Sequence, residues 1–187
     1  ISITAFGFFV WGYQYIPTHH FLLFSIASIF GIFMAFNIGG NDVANSFGTS
    51  VGAKTVTIKQ ALIIAAIFEL SGAIFAGGEV TKTIREGIVS FPQEGTEPML
   101  FVLIMMSALL SSGIWLFIAS KKGLPISTTH SIVGGIVGAG LAMGFTTMSS
   151  SEALAMVSWS EIGRIAVSWV ISPLLGGILS YFIYGYI

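Results

Sequence analysis

The chain has 187 residues, 55% hydrophobic and only 8% charged, with a mean hydropathy of +0.93; soluble domains carry about 25% charged residues, so this is the composition of an integral membrane protein. A formal net charge of −1 argues against a nucleic-acid partner, which would need a basic face. With no cysteine there is no disulfide framework, thiolate metal site or thiol nucleophile, and three scattered histidines give no Ser–His–Asp arrangement, so an enzyme is not expected.

The first residue is Ile1, not Met, and no charged segment precedes the first apolar run, so the sequence reads as a piece of a longer chain from which no targeting signal can be read. Residues 1–16 are apolar and aromatic, either the end of a truncated span or an interfacial segment, since Trp and Tyr favour the headgroup level. Pro17 breaks this run, and His19 and His20 follow in a solvated turn; two adjacent histidines with no carboxylate partner make a poor metal site.

Residues 21–38 form the first clear span, long enough to cross a bilayer. It runs into GGNDVANSFGTSVG, residues 39–52, around which the rest of the chain is organised. Asn41, Asp42, Asn45, Ser46, Thr49 and Ser50 are hard oxygen ligands that suit an alkali cation or the hydroxyls of an oxyanion. The interspersed glycines allow the backbone to leave helical geometry there, which at membrane depth is tolerated only where protein buries it or where it lines a cavity. Residues 57–76 make a second span with Glu69 in its middle, a carboxylate that must face a partner or water. Residues 77–98 are a polar connection with Glu79, Lys82, Arg85, Glu86, Glu94 and Glu97, expected to be solvated. Residues 99–120 form an uncharged third span, whose Met105 and Met106 suit adaptable packing.

KKGLPISTTH, residues 121–130, follows. Lys121 and Lys122 mark a membrane edge, and Pro125 fits a first helical turn. Ser127, Thr128 and Thr129 then stand at the start of the helix over residues 131–145, where unpaired N–H groups and the positive dipole end receive anions. One hydroxyl suffices for a cap; three in a row followed by His130 suggest an anion site. Gly134 and Gly138 have the GxxxG spacing that permits close helix approach. Residues 148–163 form a second polar connection, and residues 165–187 a last span expected to kink or break near Pro173 and Gly176-Gly177. If connections alternate, Lys54, Lys59, Lys121 and Lys122 oppose Lys82, Arg85 and Arg164, which does not decide orientation.

GGNDVANSFGTSVG followed by TIKQALIIAAIFELSGAIFAGGEVTKTIREGI closely resembles the N-terminal half of inorganic phosphate transporters of the PiT type, and KGLPISTTHSIVGGIVGAG resembles the second signature of that half. The resemblance covers residues 30–144, in order. It implies an all-α integral membrane protein of the cell membrane: one half of an inverted-repeat secondary transporter with broken or re-entrant helices and phosphate bound near the midplane. On this expectation residues 1–187 are a single transmembrane domain of about five spans, one repeat of a longer transporter. Only one copy of each signature is present, so either the second half is missing or a homodimer partner completes the site.

The implied activity is symport of inorganic phosphate with Na⁺ or H⁺, with no other cofactor. Phosphate would bind at Ser127, Thr128 and Thr129 with Asp42 and Asn45 alongside, a cation at Asn41, Asp42 and Asn45, and a second cation or a proton at Glu69. Two readings compete with it. Sulfate or another tetrahedral oxyanion could use the same architecture, although sulfate cannot donate a hydrogen bond at neutral pH. A non-transporting or channel-forming membrane subunit is the reading from a different class.

Overall fold

The computed structural model describes residues 2–90 and 98–186. In order these form α1 (Ser2–Tyr13), a 3-10 turn (Thr18–His20), α2 (Phe21–Gly52), α3 (Ile58–Lys82) running into a π-helical turn (Thr83–Gly87), α4 (Pro98–Lys121), α5 (Thr128–Thr147), short α6 (Ser150–Ala155) and α7 (Trp159–Tyr186). Helices α2, α3, α4, α5 and α7 are long and apolar enough to cross a bilayer. The chain is a multi-pass integral membrane protein, and its many exposed Leu, Ile and Phe side chains are what spans present to lipid. Glu94 and Glu97 of the expected polar connection, with Ile1 and Ile187, lie outside the described residues.

The end of the first span differs from expectation. Residues 39–52 do not unwind: α2 is one helix of 32 residues from Phe21 to Gly52. A glycine in a helix costs only about 1 kcal/mol against alanine, whereas an unpaired backbone group in hydrocarbon costs several times that. The four-residue spacing of the amides adds a staple, Asn45 Nδ2 donating to Asn41 Oδ1 at 2.9 Å. At about 48 Å, α2 is longer than the ~30 Å hydrocarbon layer. Helix α7 is not broken at Pro173, whose missing N–H deprives the Trp169 carbonyl of its usual helical donor.

The connections are also more structured than their polarity suggests. Helix α3 continues to Lys82, and the stretch after its π turn is buried, with Ile88 1% and Val89 4% exposed. That stretch bridges to the loop before α7: Ser90 N donates to the Met156 carbonyl at 2.8 Å and Ser158 N to the Ile88 carbonyl at 2.9 Å. Ile88 and Val89 join Ala108, Val133, Ile136 and Met156 in one core cluster, so a segment expected in solvent helps hold α4, α5 and α6 together.

Helices α2 and α4 run parallel, with Gly31 facing Leu109 and the Phe33 ring 6.0 Å from that of Phe117. Helix α4 ends in a Schellman turn: Gly123 has φ 65°, its N–H donates to the Ser120 carbonyl, and Leu124 N donates to the Ala119 carbonyl. Pro125 then bars further helix, and Ser127 caps α5. The returning α5 lies close enough to α4 for Ser112 Oγ to donate to the Ser131 carbonyl at 2.8 Å. A Cβ on Gly135 would collide with that Ser112 hydroxyl and lie 3.0 Å from the Ala108 carbonyl. The expected GxxxG pair is therefore corrected: Gly134 and Gly138 have open space around them, and the close approaches fall at Gly135 and Gly144.

Candidate functional site

Because α2 stays helical through its signature, a 3.6-residue period places the polar groups on two adjacent faces. Asn37, Asn41 and Asn45 follow one another at four-residue steps, and Asp42 and Ser46 occupy the neighbouring stripe. Asn37 and Asn41 are buried, Asp42 is half-buried, and Asn45 and Ser46 are exposed.

The turn between α4 and α5 docks onto both faces. Asn45 Nδ2 donates to the Ile126 carbonyl at 3.1 Å as well as to Asn41. Thr128 Oγ1 donates to Asp42 Oδ2 at 3.3 Å, joining two stretches 86 positions apart. These bonds fall seven to ten residues before the end of α2, so the turn meets α2 well inside that helix and not at its tip.

The two faces open onto separate clefts. Asp42 and Ser46 line an open cleft of about 600 Å³ between α2 and α3, together with Glu69 and Thr81. Two carboxylates beside two hydroxyls in an otherwise apolar cleft favour a bound cation, since like charges in a low-dielectric setting repel unless countered. Asn37, Asn41 and Asn45 line a cleft of about 480 Å³ with Ser120, Gly123, Leu124 and Pro125. This side is uncharged and offers amide groups. Asn41, Asp42 and Asn45, expected to share one cation, are thus divided between the clefts: Asn41 and Asn45 line one, and Asp42 lines the other with Glu69, the expected second site.

The three expected hydroxyls also differ in use. Ser127 Oγ accepts from His130 N at 3.3 Å, the ordinary capping role. Thr128 faces Asp42. Thr129 is exposed, at the positive end of the α5 dipole. His130 lies edge-on to Trp169 of α7, ring centroids 3.7 Å apart, and Trp169 Nε1 is buried with no hydrogen-bond partner. The His19 and His20 rings lie tilted to one another with centroids 4.1 Å apart, far along α2 from these clefts. Among the described residues no group of three His, Cys, Asp or Glu side chains could hold a metal ion. Asn37 is the lining residue that motif reading misses; its spacing of four before Asn41 is the signal that finds it.

A sequence profile of the phosphate transporter family matches residues 38–187. A protein from Mycobacterium tuberculosis named "Putative phosphate permease" is 53% identical over 191 residues, covering 100% of this chain and 35% of that protein. One of the same description from Haemophilus influenzae is 50% identical over 159 residues, covering 85% and 36%. A solved structure described as "The sodium-dependent phosphate transporter" superimposes with a TM-score of 0.72 at 42% identity, over 87% of this chain and 38% of its own. The chain spans about a third of the length of the relatives it matches.

Proposed function

Since this chain belongs to the phosphate transporter family, we propose that it forms part of a sodium-coupled symporter of inorganic phosphate and supplies roughly half of the binding site. The observation that carries this reading is the hydrogen bond from Thr128 Oγ1 to Asp42 Oδ2, which brings the two signatures together inside the helical bundle. Sodium rather than protons is supported by the sodium dependence ascribed to the superimposed transporter and by the hard oxygen donors around Asp42.

The physical problem is to move a phosphate of charge −1 to −2 through hydrocarbon, where each charge moved against the membrane potential costs about 2.3 kcal/mol per 100 mV. Co-binding cations offsets that charge and links uptake to the cation gradient. Thr128, Thr129 and the free N–H groups of the first turn of α5 hold phosphate oxygens, with Ser127 fixing that turn as its cap. When the Thr128 hydroxyl turns to phosphate, Asp42 is released to a cation and can also accept a hydrogen bond from protonated phosphate. Glu69, across the same cleft, serves a second cation. Asn41 and Asn45 hold the α4–α5 turn at the right height on α2, and their amide oxygens complete the polar surroundings.

The rest of the site belongs to the remaining two thirds of a full-length relative, which would cover the open side of the Asp42–Glu69 cleft. The test is Asp42→Asn in the full-length transporter reconstituted in proteoliposomes. Sodium-driven phosphate uptake should be abolished, and uptake at the unmodified rate sinks the assignment. An equal drive from a proton gradient in the unmodified protein would shift the coupling ion to H⁺, and equal competition by sulfate would remove the role given to phosphate as a donor.

A further inference from the structure

We propose that the groove at the start of α2 and α4 binds one membrane phospholipid, with its phosphodiester at Tyr15 and His20 and an acyl chain along Leu23, Phe24, Ala27 and Val102. This site lies apart from the Asp42 clefts and does not depend on the transport reading. The groove has a volume of about 700 Å³ and is formed by the turn after α1, the first two turns of α2 and the first turn of α4; that volume lies within the range of small-molecule sites.

Three features select an amphiphile. First, the lining is graded: Tyr15 and His20 are its hydrogen-bonding side chains, and they lie at the turn, while the α2 and α4 residues beyond are apolar. From His20 to Ala27 the groove runs about 10 Å along α2, enough for the upper part of one acyl chain. Second, the position fits a lipid: Trp11, Tyr13 and Tyr15 are exposed beside it, the side chains that mark a headgroup level. Third, the polar end suits a phosphate. His20 stands at the N-cap of α2, its side chain makes no capping bond, and its ring, beside that of His19, lines the groove and can turn an N–H donor into it. Because α2 and α4 run parallel, their positive dipole ends lie together there. Helix α1 ends nearby, but the Trp11 and Gly12 carbonyls are taken by the N–H groups of Gln14, Tyr15 and Ile16.

The experiment uses the full-length transporter in nanodiscs containing a phosphatidylethanolamine probe with a diazirine on its acyl chain. After photolysis, labelled peptides are mapped by mass spectrometry. Labelling should concentrate at residues 20–27 and 98–102, well above that of the lipid-exposed end of α7. His20→Ala should lower it about three- to tenfold, the range for one lost hydrogen bond, while His20→Gln, which keeps a donor, should retain it. Ala27→Trp should fill the groove and remove the signal without touching the polar end. A diacylglycerol probe lacking the phosphate should label several-fold less. The proposal is overturned by labelling no higher than on α7, which is also what another part of the full chain seated in the groove would give. Equal labelling by the phosphate-free probe overturns it too, as does labelling that survives Ala27→Trp.

Discussion

Thr128 and Asp42 show what a single hydroxyl decides. The β-branched side chain of Thr128 is half-buried, and its hydroxyl donates to the equally half-buried Asp42 carboxylate of α2. Thr128→Val keeps the shape and removes the donor. On the proposed function, phosphate uptake by the full-length transporter should fall about tenfold or more, as for a lost hydrogen bond to a charged group, while Thr128→Ser should keep most of it; uptake assays on the two variants separate a bonding role from a steric one. A second residue-scale outcome concerns pH. The Ser149 hydroxyl and backbone N–H donate to Glu152 at the start of α6 and hold its carboxyl below the ordinary value of 4.5. A carboxyl depressed in the folded state stabilises at pH values above its unfolded pKa, and this is lost as pH falls through the folded one. Hydrogen-exchange protection of the first turn of α6 should therefore drop in acid, and Glu152→Gln should be weaker at neutral pH and insensitive to that drop. Equal protection in both proteins at pH 7 would refute the cap as the cause.

At the scale of elements, the α4–α5 pair is the closely packed part and α3 and α7 are the open ones. Gly135 allows α4 and α5 to meet, because a side chain there has no room beside Ser112 and Ala108. Gly135→Leu should destabilise the fold by about 1–3 kcal/mol through overpacking and lower phosphate uptake by displacing the turn that carries Thr128. Gly134→Ala, one position away in open space, should change neither; thermal unfolding of both variants in detergent makes the comparison. The spacing rule that points to Gly134 and Gly138 names the right helix and the wrong face, since a GxxxG pattern does not say which glycines meet a neighbour. The same limit explains α2. Glycine content suggests unwinding, yet the backbone keeps its helical bonds because hydrocarbon offers no substitute partners.

At the scale of the whole molecule, α3 has only Ala61 and Ala65 buried, and α7 has no buried residue among those described. Glu69 is exposed in the middle of an apolar span, and a carboxylate there costs about 2.5 to 3.5 kcal/mol against lipid. Protein from the rest of a full-length transporter is the expected cover. Residues 1–187 alone, reconstituted in proteoliposomes, should not accumulate phosphate under a sodium gradient; co-expression with the remainder of the chain should restore uptake. Saturable uptake by residues 1–187 alone would instead favour a homodimer completing the site.

The membrane class, the number of spans and the two polar stretches were all legible in the residues, because burial in hydrocarbon leaves so few chemical reasons for an Asp, a Glu or a row of hydroxyls that each stands out against its surroundings. Which of those groups meet was not legible. Asp42 joins Thr128 across 86 positions and shares a cleft with Glu69, while Asn45 donates to the Asn41 side chain and to the Ile126 carbonyl. Nor does polarity reveal that Ile88 and Val89 are core residues. A local pattern reports what each segment can tolerate around itself; contacts between distant segments depend on helix phase and on the angle at which helices meet, and only the folded chain fixes those.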